Sequence, residues 1–132
     1  YEMEYFVLLL GSFLFGGMLL FSVGFGTLTF KFLEPSVARN FIRKTFPYFY
    51  NYVLLVSAVI FLLGFNVSKP VAALAFFIFA STIPTSKILM PAINKTADSK
   101  QKRNFIFLHT LSVAITISHI IICAVILYLI SV

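Results

Sequence analysis

Four stretches of the chain are nearly unbroken runs of apolar residues, and the polar residues collect between them. The runs cover about Tyr5–Phe30, Phe49–Phe65, Val71–Leu89 and Phe105–Ile130. An α-helix rises about 1.5 Å per residue, so about 20 apolar residues cross the hydrocarbon layer of a bilayer. The second run reaches that length only when Phe46–Tyr48 is included, and the fourth is long enough to tilt. The pattern predicts an all-α fold, a four-span transmembrane helix bundle that makes residues 1–132 a single integral membrane domain. The first run follows Glu2 and Glu4 rather than a basic stretch and is too long for a signal peptide, so a retained span is expected.

The segment between the first two runs has a pattern of its own. At about 100° per residue, Val37, Ala38, Phe41 and Ile42 share one arc, while Arg39, Asn40, Arg43 and Lys44 share the opposite one. Pro35 is placed to open a helix and Pro47 to close it. This predicts a short interfacial amphipathic helix, with Arg39, Arg43 and Lys44 as a basic patch facing lipid headgroups.

Composition agrees with a lipid environment. The chain is 61% hydrophobic and 11% charged, whereas a soluble domain is about 25% charged. A chain this short cannot bury so much apolar surface in its own core. The net charge of +6 would by itself allow nucleic acid, anionic lipid or membrane topology. The positions of the basic residues decide between them. Lys31, Arg39, Arg43 and Lys44 surround the first connector, and Lys87, Lys95, Lys100, Lys102 and Arg103 surround the third. Only Lys69 lies at the second. The positive-inside rule then predicts cytoplasmic long connectors and both termini outside, in a bacterial inner membrane or its equivalent. The expected partners are anionic headgroups and other membrane subunits, not nucleic acid. The single cysteine, Cys123, cannot form an internal disulfide.

Candidate chemistry lies within the spans. The first is rich in small residues: Ser12 and Gly16 make a small-x-x-x-small pair, and Gly17 and Gly24 are seven apart. Small residues let helix backbones approach closely in lipid, so Ser12, Gly16, Gly17 and Gly24 are expected to form a packing face. The third span carries Ser81-Thr82-Ile83-Pro84-Thr85-Ser86. Pro84 removes a backbone donor, and neighbouring hydroxyls can satisfy the carbonyl it frees. The other reading is a broken helix that lines a polar cavity.

In the fourth span His109, Ser112, Thr116, His119 and Cys123 fall within an arc of about 80°. Lipid penalises such a stripe, so it should face the bundle interior or a partner. His109 is expected at the depth of Pro84, in a cluster with Thr85, Ser86, Thr27, Thr29, Tyr48, Tyr50, Asn51 and Tyr52. That cluster is either a hydrogen-bonded knot between helix ends or a ligand or proton site. His119 and Cys123 are spaced to face one soft metal ion, but two ligands are not a site, and no metal site is assigned. A haem held by both histidines of one chain fails, because about ten residues separate them by about 15 Å along a helix; a haem shared with another chain stays open, and the cofactor is unknown. No nucleotide-binding loop, zinc motif or nucleophile elbow is present. With four acidic residues, an enzyme built on paired carboxylates is not expected.

Several pieces together resemble a known family. Gly24-Phe25, Phe30-Lys31-Phe32-Leu33 and Lys44-Thr45-Phe46-Pro47-Tyr48-Phe49 resemble the segment joining the first two spans of transmembrane-protein-205-like proteins. Ile88-Leu89-Met90-Pro91 is similar to their third-span exit, and Asn104 to Ser112 to the start of their fourth span. These are small four-span proteins, whose bacterial members are filed under a domain of unknown function. The chain departs from the pattern in a short loop before the fourth span and in Thr110, where a glycine is often found. The resemblance implies the four-span fold and a motif role for Phe46, Pro47, Tyr48, His109 and Ser112, but no settled activity. The expectation is a non-catalytic accessory or structural subunit of a larger membrane complex. The alternative is a small-molecule or metal-handling transport protein using the polar stripe of the fourth span.

Overall fold

A computed structural model describes residues 2–132; Tyr1 lies outside the described residues. Four long helices make up nearly all of it: α1 Glu2–Phe32, α2 Pro35–Gly64, α3 Lys69–Asp98 and α4 Lys102–Ser131. Each neighbour in sequence packs on the next, and α4 returns against α1 to close the bundle. Val7 and Leu14 of α1, Val53 and Ile60 of α2, Ala75 and Ile78 of α3, and Ile126 of α4 form the buried core. The outside stays apolar, with Phe13, Leu20, Leu55, Phe77 and Ile121 all exposed. A patch this extensive is incompatible with water and ordinary in lipid.

The breaks between helices follow from local chemistry. Proline disfavours a helical residue before it, and Glu34 before Pro35 is extended, at ψ 147°. The α2–α3 turn is tight: a Cβ built on Gly64 would lie 3.3 Å from the Cα and N of Ala72. Any side chain there would press on backbone that cannot yield. The α3–α4 turn uses Lys100 at φ 56°, and the Gln101 N–H closes on the Thr96 carbonyl at 3.0 Å. A left-handed residue just past a helix commonly ends it in this way, usually as glycine.

The helices exceed the sequence expectation at the basic end. The predicted interfacial helix is not a separate element: it is the first turns of α2, and Pro47 lies inside that helix. The third span likewise continues through Pro84 and Pro91 to Asp98. The expected long connectors are wound into helix, leaving only Leu33–Glu34 and Ser99–Gln101 as links. A 30-residue helix is about 45 Å long, the depth of a bilayer with its headgroups. The carbonyl that Pro47 crowds is that of Arg43. Arg43 does not simply face headgroups: its guanidinium pairs with Asp98 at 3.0 and 3.3 Å, joining α2 to the end of α3. Arg39 donates to the Pro35 carbonyl of its own helix, and Lys44 is exposed.

Two stretches are wound wider than an α-helix, Leu20–Phe25 in α1 and Thr85–Leu89 in α3. Such π turns close i→i+5 bonds, so each takes in one extra residue and turns the helix beyond it by about 100°. This splits the predicted packing face. Gly17 faces α2, where a Cβ would overlap the Tyr52 hydroxyl, whereas a Cβ on Gly24 would meet only Leu20 of its own helix, at 3.3 Å. Ser12 and Gly16 point out of the bundle, and nothing lies within 4 Å of a Cβ at Gly16. Gly11, not included in the predicted face, packs closely: its Cβ would come within 3.0 Å of Leu127 on α4.

Candidate functional site, a hydroxyl and histidine core

The polar groups of the bundle gather midway along it. His119 of α4 is 6% exposed, and its Nε2 lies 2.7 Å from Ser81 Oγ of α3. Ser81 Oγ is also 2.7 Å from the Phe77 carbonyl. A serine has one proton, and the carbonyl can only accept. Ser81 therefore donates to Phe77, and His119 donates from Nε2 to Ser81. The neutral imidazole then keeps a lone pair on Nδ1. One turn away, the fully buried Cys123 donates from Sγ to the Gly11 carbonyl of α1 at 3.3 Å. His119 thus ties α4 to α3, and Cys123 ties it to α1. The two point at different helices, and among the described residues no three His, Cys, Asp or Glu side chains come together as a metal would need.

The hydroxyls of α3 bond back to their own helix. Thr82 Oγ1 donates to Ile78 at 2.6 Å and Thr85 Oγ1 to Ser81 at 2.8 Å. Such back-bonds are a low-cost way to bury a hydroxyl. None of them goes to the Ala80 carbonyl, the one that Pro84 deprives of its donor. Ser86 is partly buried.

Tyr50 is the central residue on α2. It is 4% exposed, wedged by Phe46 and Phe49 at centroid distances of 5.8 and 5.6 Å. Tyr50 lines a small cavity together with Met18, Thr82, Thr85, Thr116 and His119, so all four helices contribute. Ser112 is buried nearby on α4. A larger apolar groove of about 350 Å³ opens on the outside between α1 and α2, beside Gly17, Phe21, Tyr48 and Tyr52.

The predicted stripe is thus divided. Ser112, His119 and Cys123 are buried and Thr116 partly so, while His109 is exposed and stacks on Phe105 at 5.6 Å. At the basic end α4 is flanked by the last stretch of α3, Met90–Asp98, while the last stretch of α1 keeps to α2. The knot expected around His109 is not formed: Tyr48, Asn51 and Thr27 are exposed as well. Tyr52 instead donates to the Phe13 carbonyl of α1. Ser81 was not singled out as a partner for His119. The signal was available, since the two residues stand equally far from the ends of α3 and α4 at Lys69 and Ser131.

Four apolar membrane-length helices around a buried polar core define an integral membrane protein of the four-span class. The sequence profile of DUF4149, a domain of unknown function, matches residues 9–102, and the chain belongs to this family. The match takes in α1 to α3 and stops where α4 begins. No curated protein matches the chain, and no solved structure does.

Proposed function

We propose that this chain is a non-catalytic membrane subunit that docks on another membrane helix through the outward face of α1. One observation carries the reading: Ser12 and Gly16 are exposed outside the bundle, with open space where a Gly16 side chain would be. Small residues spaced in this way let a second helix come close in lipid, where packing drives association. Gly16→Leu fills that face without touching the chain's own core. It is expected to keep yield and thermal midpoint and to lose the assembled species in mild detergent. Assembly equal to wild type would remove the docking face. The same reading puts the basic end in the cytoplasm and both termini outside, with Arg39 and Lys44 on anionic headgroups. Cysteines introduced at Lys95 and Lys69 should then label from opposite sides. The finer kinship with transmembrane-protein-205-like proteins fits the span pattern and adds no activity.

A second reading is small-molecule or metal-handling transport along the α4 stripe. Its support is the cavity that Thr116 and His119 share with the other helices. It requires stoichiometric metal or solute uptake that is lost in His119→Ala, measured on pure protein and in proteoliposomes.

A further inference from the structure

Tyr50 Oη is buried and has no hydrogen-bond partner among the described residues. Phe46 and Phe49 pack against its ring, and the side chain as a whole is 4% exposed. A buried hydroxyl with no bond is costly in a protein and has no compensation in lipid. The cavity that Tyr50 lines leaves about 10 Å³ for the centre of a water molecule, on the order of the ~10–15 Å³ that one buried water needs.

The wall chemistry selects the occupant. Thr82 and Thr85 have committed their protons to the Ile78 and Ser81 carbonyls, so each offers the cavity lone pairs only. Tyr50 brings a proton for which the other acceptor nearby is the Ser112 hydroxyl of α4. No Asp, Glu, Lys or Arg lines the space. A cation would find no counter-charge, and neither would an anion. A neutral molecule that both accepts and donates meets every requirement. We infer that one water molecule sits here, accepting from Tyr50 Oη and donating to the Thr82 and Thr85 oxygens. This gives it about three bonds, the usual complement of a buried water. It links α2 to α3 at the bundle centre, where their side chains make no bond of their own. The competing arrangement is a direct bond from Tyr50 to the adjacent Ser112 hydroxyl.

Solid-state NMR in bilayers tests the site through magnetisation transfer from water to ¹³C-tyrosine. Tyr50 should receive transfer despite its burial, and should still receive it in Ser112→Ala. No transfer to Tyr50, or its loss in Ser112→Ala, would overturn the inference. Tyr50→Phe keeps the shape of the ring and supplies a second arm. If water completes the hydroxyl's bonding, the thermal midpoint falls. A rise or no change would mean that an unsatisfied or idle hydroxyl had been removed, and the site would be withdrawn.

Discussion

The two ends of the bundle are built differently. Toward the termini the helices are regular, and they approach through small residues: Gly11 against Leu127, Gly64 against Ala72, and Ala75 in the core. Toward the basic end they are held by rings and irregular backbone. Phe21 stacks on Phe49 at 4.3 Å and meets Phe46 edge-on at 5.4 Å. Both π turns and the internal prolines Pro47, Pro84 and Pro91 lie in this half. Close backbone contact leaves no slack, because a protein interior packs as tightly as a crystal. Aromatic stacking tolerates sliding. The terminal half should therefore fix the fold, and the basic half should absorb change.

The largest effect expected is at the terminal end. Gly64→Leu forces a side chain into the Ala72 backbone and should cost about 3 kcal/mol, the upper end of the usual overpacking range, seen as loss of monodisperse protein. Phe21→Leu in the basic half should cost less, because rings can resettle; an equal loss would erase the contrast between the halves. Next comes the core between them. His119→Leu strips Ser81 of its partner and should lower stability by about 1–2 kcal/mol in a reversible unfolding assay in detergent. His109→Leu should leave the unfolding curve in place, and a matching drop there would restore the knot at the basic end. Lys100→Gly relieves a left-handed residue and should raise stability by about 0.5–1 kcal/mol. The smallest effect is at Arg43–Asp98, whose side chains are 41% and 64% exposed. Asp98→Asn should cost under about 1 kcal/mol, and less still at high salt. A larger loss would make that ion pair, rather than the aromatic rings, the clamp of the basic end.

What the sequence made legible follows the same division. Hydrophobic runs identify four spans because lipid imposes its pattern on every turn. The inward stripe from Ser112 to Cys123 could be read because α4 is an unbroken α-helix, so that 100° per residue holds along it. The same rule failed for Gly17 and Gly24, because the π turn at Leu20–Phe25 lies between them and resets the phase. It also failed to separate Gly16 from Gly17, since only the neighbouring helices decide which side of α1 faces Tyr52. His109 sits on the edge of the stripe, where its surroundings depend on which helices extend to the basic end. Periodicity carries no such information. The proline boundaries misled for another reason: Pro47, expected to separate two helices, and Pro91, at the expected exit of the third span, both lie within continuous helices, because a neighbouring helix can support a proline that would end an isolated one.

The π turns also bear on how such a chain can change length. An i→i+5 turn holds one residue more than its neighbours, so removing one residue from Leu20–Phe25 or Thr85–Leu89 restores an ordinary α-helical turn rather than breaking the helix. A relative lacking a residue in either stretch can keep every contact on the terminal side and differ only in which face it shows beyond the turn. Single-residue gaps within this lineage should therefore concentrate at these two positions, and the packed helix between Val7 and Met18 should resist them.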